Sequence, residues 1–430
     1  MSRGTPLVLC CAWILIALTG CSPSPSKSNT ILLWHWMTDR HDTLEQLAEK
    51  YKQETGVEVT VQLFAPSEAY SQKVIAAAQG NVLPDIYGVL DKKSIVVDFI
   101  QAGLIADLTD AMEADGGRWK NSLFDKALAD RRFDAGNIYG VKPGIYGVPI
   151  DVTSQQMLYN RKLLAKAGIA APPKTWDEWI KDCQALRRVG ITPFVSGWGE
   201  IWLLDCFASN YAFNIMGEAK VFATYRGEVK YTDPDWIRVL GLFEELRGKN
   251  ALMEGIVTKG NKYAEQDFAL ERAAFTFNGS WCVNVYKDMN PKLDYGVMLP
   301  PPLDTAFPLK IWGGAGSSFV VNGTSPHKDK ATAFLKWLTA KEQQALLSRD
   351  TNNLPANREA MALIPPILEE FARGMENSTH PNTWPVHEDP LVVETFDKGI
   401  QNIIIGEKTP GQVAADVQQV KDRQMSKGSR

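Results

Sequence analysis

The sequence predicts an α/β protein organised around parallel sheets, and three observations carry that prediction. Apolar strands alternate with amphipathic helices over residues 31–102, strongly capped helices punctuate the middle and end of the chain, and Pro/Gly-rich breaks fall near 140–150 and 300–316. With 45% hydrophobic and 22% charged residues the chain has the composition of a globular protein. At roughly 150 residues per domain, two or three domains are expected. The 46 basic and 50 acidic residues give a net charge of −4, which argues against a nucleic-acid partner, because phosphate neutralisation needs concentrated Lys and Arg.

The first element is a leader. Arg3 is the sole charge in residues 1–20, and residues 6–18 form an apolar run too short to span a bilayer, which takes about 20 residues. The run ends in Leu18-Thr19-Gly20-Cys21, which resembles the bacterial lipobox. That resemblance implies a signal peptide over 1–20, lipidation of Cys21 and a membrane anchor. The Ser/Pro-rich stretch to residue 30 then reads as a tether.

Ile31-Leu32-Leu33-Trp34 predicts a first strand, and Leu44, Leu47, Ala48 and Tyr51 lie at helical spacing with Gly56 as the stop. Val57, Val59, Val61 and Leu63 alternate as a second strand. A helix is expected around 70–79, a third strand over 84–90 and another helix from Ile95. This order implies parallel strands with helices on both faces, and such sheets place ligands at their carboxyl ends.

Further along, Thr175-Trp176-Asp177-Glu178 is a capping box, followed by Trp179, Ile180, Cys183 and Leu186 at core spacing. Ser325-Pro326 predicts one helix running towards Leu347, and Thr409-Pro410 opens another through Val413, Val417 and Val420. Cys183, Cys206 and Cys282 can form at most one disulfide, and they read as small buried hydrophobes. No Cys or His pair has metal-ligand spacing, so neither a metal nor another cofactor is expected.

The block Tyr146-Gly147-Val148-Pro149, Leu158-Tyr159-Asn160-Arg161-Lys162 and Thr175-Trp176-Asp177-Glu178 resembles the extracellular solute-binding proteins of family 1. These are the sugar-binding subunits of ABC importers, related to maltose-binding protein. Asn278-Gly279-Ser280-Trp281, Gly313-Gly314-Ala315, Leu354-Pro355-Ala356 and Thr409-Pro410 follow in collinear order, so the resemblance covers nearly the whole mature chain. It implies a type II periplasmic-binding-protein-like fold of two discontinuous α/β lobes around a hinge. By analogy, lobe 1 would comprise 31–149 plus 316–352 and lobe 2 would comprise 153–312 plus 356–430. Crossings are expected near 148–153, 312–317 and 352–356, with Gly313, Gly314 and Gly316 suited to hinge rotation.

The resemblance also implies where ligand binds. Trp36 and Asp39 follow the first strand, with Trp34 expected to point into the sheet. Trp281 matches a position that stacks on sugar, with Asn278 beside it. Trp198 and Glu200 lie between glycines where second-lobe contacts are expected, and Trp312 and Trp384 offer further aromatics. Asp91 and Asp151 are candidate hydroxyl acceptors, whereas Asp85 reads as a structural strand-end residue. Aromatic faces and hydroxyl acceptors together suit a neutral sugar. The expected function is capture without catalysis by a monomer, which closes over a carbohydrate and is then met by the transmembrane permease subunits. Two alternatives stand beside it: the same fold binding glycerol phosphate or a polyamine, and a secreted glycosidase, which would need a carboxyl pair about 5–9.5 Å apart.

Overall fold

A computed structural model describes Met1 and residues 29–428, except 66, 91–92, 138, 304, 376–377 and 380–387. Cys21, Asp91 and Trp384 lie outside the described residues. Strands β1 (Thr30–His35), β2 (Glu58–Leu63), β3 (Ile86–Gly88), β4 (Arg132–Phe133), β5 (Gly144–Ile145) and β6 (Val148–Pro149) precede the long β7 (Asp151–Asn160). They are followed by β8 (Thr192–Val195), β9 (Ala273–Gly279), β10 (Tyr295–Met298), β11 (Ile311–Ala315), β12 (Ser318–Val321), β13 (Leu354–Pro355) and β14 (Ser378–Thr379).

Two sheets organise the chain into two lobes. The first has the order β2-β1-β3-β12-β6, with β1 parallel to both β2 and β3. The second has the order β14-β11-β7-β9-β8, and β10 and β13 also pair with β7. Side-chain alternation along β1 explains the layering of the first lobe. Ile31 and Leu33 join Leu44, Leu47 and Phe334 on one face, while Trp34 joins Tyr70, Tyr87 and Val96 on the other. The second sheet likewise separates two cores. One holds Trp176, Trp179, Trp198 and Trp236, and the other holds Leu158, Val195, Phe268 and Tyr286.

Local signals fix several helices. The helix Trp176–Arg188 starts where Thr175 accepts the Glu178 N–H at 3.3 Å and the Glu178 carboxylate reaches back to the Lys174 N–H at 2.7 Å. At the C-terminal helix, Thr409 and Gln412 cap each other reciprocally. The helix expected from Ser325 to Leu347 is instead two, Lys328–Leu338 and Lys341–Thr351. Between them Ala340 is extended, and buried Thr339 is pinned by accepting the Trp119 indole N–H at 2.9 Å. The turn places buried Gln344 at the lobe junction, where it donates to the Ile150 carbonyl and accepts from the Ala356 N–H. Cys183, Cys206 and Cys282 are free and buried.

The chain passes between the sheets three times. It leaves β6 for β7 at Ile150, leaves β11 for β12 at Gly316 and Ser317, and leaves the helix Lys341–Thr351 for β13 at Asn352 and Asn353. Gly313 and Gly314, expected as hinge residues, are held in the ladder opposite Ser154 and Thr153, so of the three glycines only Gly316 lies in a passage. After β13 the chain touches the first lobe again: Ala356 joins its core and Asn357 donates to the Thr339 carbonyl at 2.9 Å.

Candidate ligand site between the two sheets

Register shows which ends of the sheets face the junction. Phe319, the second residue of β12 after the passage at 316–317, pairs with Gly88 at the end of β3. In the second lobe Gly279, the last residue of β9, pairs with Gln155, close to the start of β7. Since β8 runs parallel to β9 and β1 parallel to β3, the carboxyl ends of these four strands point toward the three passages, where the antiparallel β7 and β12 begin.

On the first lobe Trp36 follows β1 and stands over Gly88, where an added Cβ would overlap its ring; its indole also packs 5.3 Å from Tyr70. Trp34 turns into the sheet core, and Asp85 is structural, accepting from the Leu32 N–H at 2.8 Å and the Ser325 hydroxyl. Asp39 keeps 30% of its side chain exposed and accepts from Asn353 Nδ2 at 3.2 Å. Buried His35 accepts the Met37 N–H on Nδ1, so its Nε2 carries the proton toward His41 Nδ1, 3.2 Å away. Burial, with His41 and Arg40 nearby, pulls its pKa down to about 4.

On the second lobe Trp281 is half-buried and rests on Gly279 as Trp36 rests on Gly88. Beside it stands Trp202, 39% exposed, with ring centroids 5.9 Å apart and planes inclined by 51°. The Trp202 indole N–H donates to Glu200 at 2.9 Å, and the same carboxylate accepts the Asn261 N–H at 2.7 Å. Glu200 therefore ties the aromatic pair to the start of the helix Asn261–Ala269. Trp312, half-buried against the second core, lies one residue before Gly313, which pairs with Ser154; this puts it alongside Gln155.

Three expected ligand residues are committed elsewhere. Trp198 is fully buried among Phe194, Phe207 and Phe243, because Gly197 and Gly199 pack tightly on the backbone at 258–261 and draw the loop inward. Asn278 is buried, donates to buried Glu265 at 3.1 Å and accepts the Gly279 N–H at 2.9 Å, so it braces the turn that carries Trp281. Asp151 is buried against Arg40 and accepts the Ser317 N–H. Sequence reasoning missed Trp202 and Arg40. Helical phase carried no signal for Trp202, because the helix after it is buried on every side from Leu203 to Gly217. For Arg40 no local signal existed, since its partners Asp151, Ser317 and Asn353 lie 111, 277 and 313 residues away.

The arrangement offers flat apolar faces on both lobes and an accessible carboxylate at their junction. Among the described residues no cluster of three or more His, Cys, Asp or Glu is placed to hold a metal, and no helix is long and apolar enough to cross a membrane. Residues 36–345 match the profile of the bacterial extracellular solute-binding proteins. The chain belongs to that family. Its relatives include the Multiple sugar-binding protein of Streptococcus mutans, 23% identical over 337 residues, 76% of this chain and 75% of the relative. The Melibiose/raffinose/stachyose-binding protein MelE of Bacillus subtilis is 23% identical over 415 residues, 91% of this chain and 87% of the relative. Among solved solute-binding proteins, a chitin oligosaccharide binding protein superposes with TM-score 0.76 at 23% identity, over 92% of this chain and 98% of that one. The GacH receptor of Streptomyces glaucescens superposes with TM-score 0.72 at 20% identity, over 92% and 97%. These superpositions establish the two-lobed fold of this solute-binding protein.

Proposed function

We propose that this chain is the extracytoplasmic receptor of an ABC importer, anchored through lipid on Cys21, which closes its two lobes over a sugar and delivers it to the permease. The observation that carries this reading is the aromatic wall at the junction end of each sheet, Trp36 on the first lobe and Trp281 with Trp202 on the second. Sugar rings present apolar faces to such planes, each stack contributing about 0.5–1.5 kcal/mol beyond area burial. A ligand touching both walls favours the closed form by its differential affinity for that form. Relatives named for multiple sugars and for melibiose, raffinose and stachyose support a carbohydrate, and a site built of several aromatic planes favours an oligosaccharide over a single ring. Asp39, half open at the junction, is the hydroxyl acceptor we assign.

Thermal unfolding against raffinose, stachyose, chitin and xylan oligosaccharides, maltooligosaccharides, glycerol phosphate and spermidine tests the reading. At about 100-fold excess over Kd a bound ligand stabilises by about 2.7 kcal/mol. Stabilisation confined to one saccharide class supports sugar capture. A response only to glycerol phosphate or spermidine, or hydrolysis of a glycan, overturns it.

A further inference from the structure

Arg40 closes the turn Thr38–Arg40 that follows Trp36 and contains Asp39, and its guanidinium reaches residues in or beside all three passages between the lobes. Nη1 pairs with Asp151, which opens β7 directly after the first passage, and donates to Ser317 Oγ in the second at 3.0 Å, while Nη2 donates to Asn353 Oδ1 in the third at 2.8 Å. The passages are also tied to one another, with the Ile150 N–H on the Ser317 carbonyl at 2.9 Å and the Gly316 N–H on the Asp151 carbonyl at 3.2 Å. Arg40 and Asp151 keep 6% and 2% of their side chains exposed, so the pair is shielded from solvent competition. Asp39 belongs to the same network: one carboxylate oxygen, Oδ2, lies 3.4 Å from Arg40 Nε and 3.2 Å from Asn353 Nδ2.

We propose that Arg40 is the positioning residue of the hinge, a single clasp on all three passages that couples the ligand-facing carboxylate of Asp39 to the angle between the lobes. The planar guanidinium carries five fixed donors and can satisfy three acceptors on separate chain segments, which a lysine ammonium on a flexible stem cannot reproduce. Rotation of one lobe against the other has to pivot about the residues this group holds. A ligand donor that engages Asp39 draws on the carboxylate that steadies Asn353, so occupancy is passed to the third passage through Asp39. The assignment of Asp39 as the sugar contact rests on the function proposed above; the clasp itself does not.

The test is therefore made without ligand. Spin labels at Glu49→Cys on the first lobe and Lys181→Cys on the second report the distribution of lobe separations in the purified protein by electron–electron double resonance. Cys10, Cys11 and Cys21 are replaced by Ser for the labelling, and the thiols among the described residues, Cys183, Cys206 and Cys282, are buried and stay unlabelled. Arg40→Gln and Asn353→Ala are expected to broaden and shift the distribution, Arg40→Lys to fail to restore it, and Asp39→Asn to shift it in the manner of Asn353→Ala. If Arg40→Gln does not fold, Asn353→Ala and Asp39→Asn decide the matter. A parental distribution in every folded variant, with only a lower melting temperature, overturns the clasp, and a parental distribution in Asp39→Asn alone overturns its link to the ligand-facing carboxylate. Neither result bears on sugar binding, which the saccharide panel decides separately.

Discussion

The Trp281 indole lies on Gly279 so closely that any side chain there would enter the ring, and the same relationship recurs in the first lobe between Trp36 and Gly88. Each glycine ends a strand of its sheet, so each sheet presents an aromatic plane at its carboxyl end. Gly279→Ala and Gly88→Ala should overpack these seats, costing about 1–3 kcal/mol and moving the indole. Urea unfolding with tryptophan emission checks this. Unchanged midpoints and spectra would mean that the rings are not seated on the glycines.

The two adjacent indoles of the second lobe, exposed Trp202 and half-buried Trp281, should act together. Trp202→Ala and Trp281→Ala should each weaken whichever saccharide stabilises the protein, by about 0.5–1.5 kcal/mol beyond lost area. At 5.9 Å between centroids the two share an environment, so the double variant should lose less or more than the sum. Calorimetric titration of all four proteins measures the coupling, and strict additivity would separate Trp202 from the site.

Much of this fold was legible because its signals are local. The alternation from Val57 to Leu63, the capping box at Thr175 and the apolar stripe after it depend on neighbours a few residues apart, and the structure has β2 over Glu58–Leu63 and a helix over Trp176–Arg188. The break at Thr339 was not legible, since the donor that pins it is Trp119, 220 residues away. The site divides in the same way. Trp36 could be set just past a predicted strand and Trp281 only through the family resemblance, whereas Trp198 and Asn278 have ligand-like chemistry but are claimed by partners brought in from Phe243 and Glu265.

His35 makes stability depend on pH with a definite sign. In the folded protein its pKa is about 4, against 6.5 for a free imidazole. Between those values the unfolded chain binds the extra proton, so stability is full above about pH 6.5 and declines as pH falls towards 4, by up to about 3 kcal/mol in all. His35→Gln should flatten that decline in urea midpoints measured from pH 7 to 4.5. A parental slope in the variant would assign the dependence to another group.

Asp397 should act in the opposite sense. It is fully buried in the helix Pro390–Ile405, and burial, with the Asp205 carboxyl beside it, pushes its pKa well above the usual carboxylate range. The native protein keeps this proton at pH values where the unfolded chain has released it, from about pH 4 upward. The folded state then binds more protons, and stability falls as pH rises through that window. Asp397→Asn removes the ionisable group while keeping its size and supplies an amide N–H that can donate to Asp205. The variant should therefore be more stable than the parent at pH 7 and nearly equal to it at pH 4, with the gap widening steadily between. Urea unfolding of both proteins across that range reads it directly. A variant less stable than the parent at pH 7 would show that Asp397 is ionised in the fold and held by a cation, and the acid pair of the second lobe would then have to be assigned as a charged one.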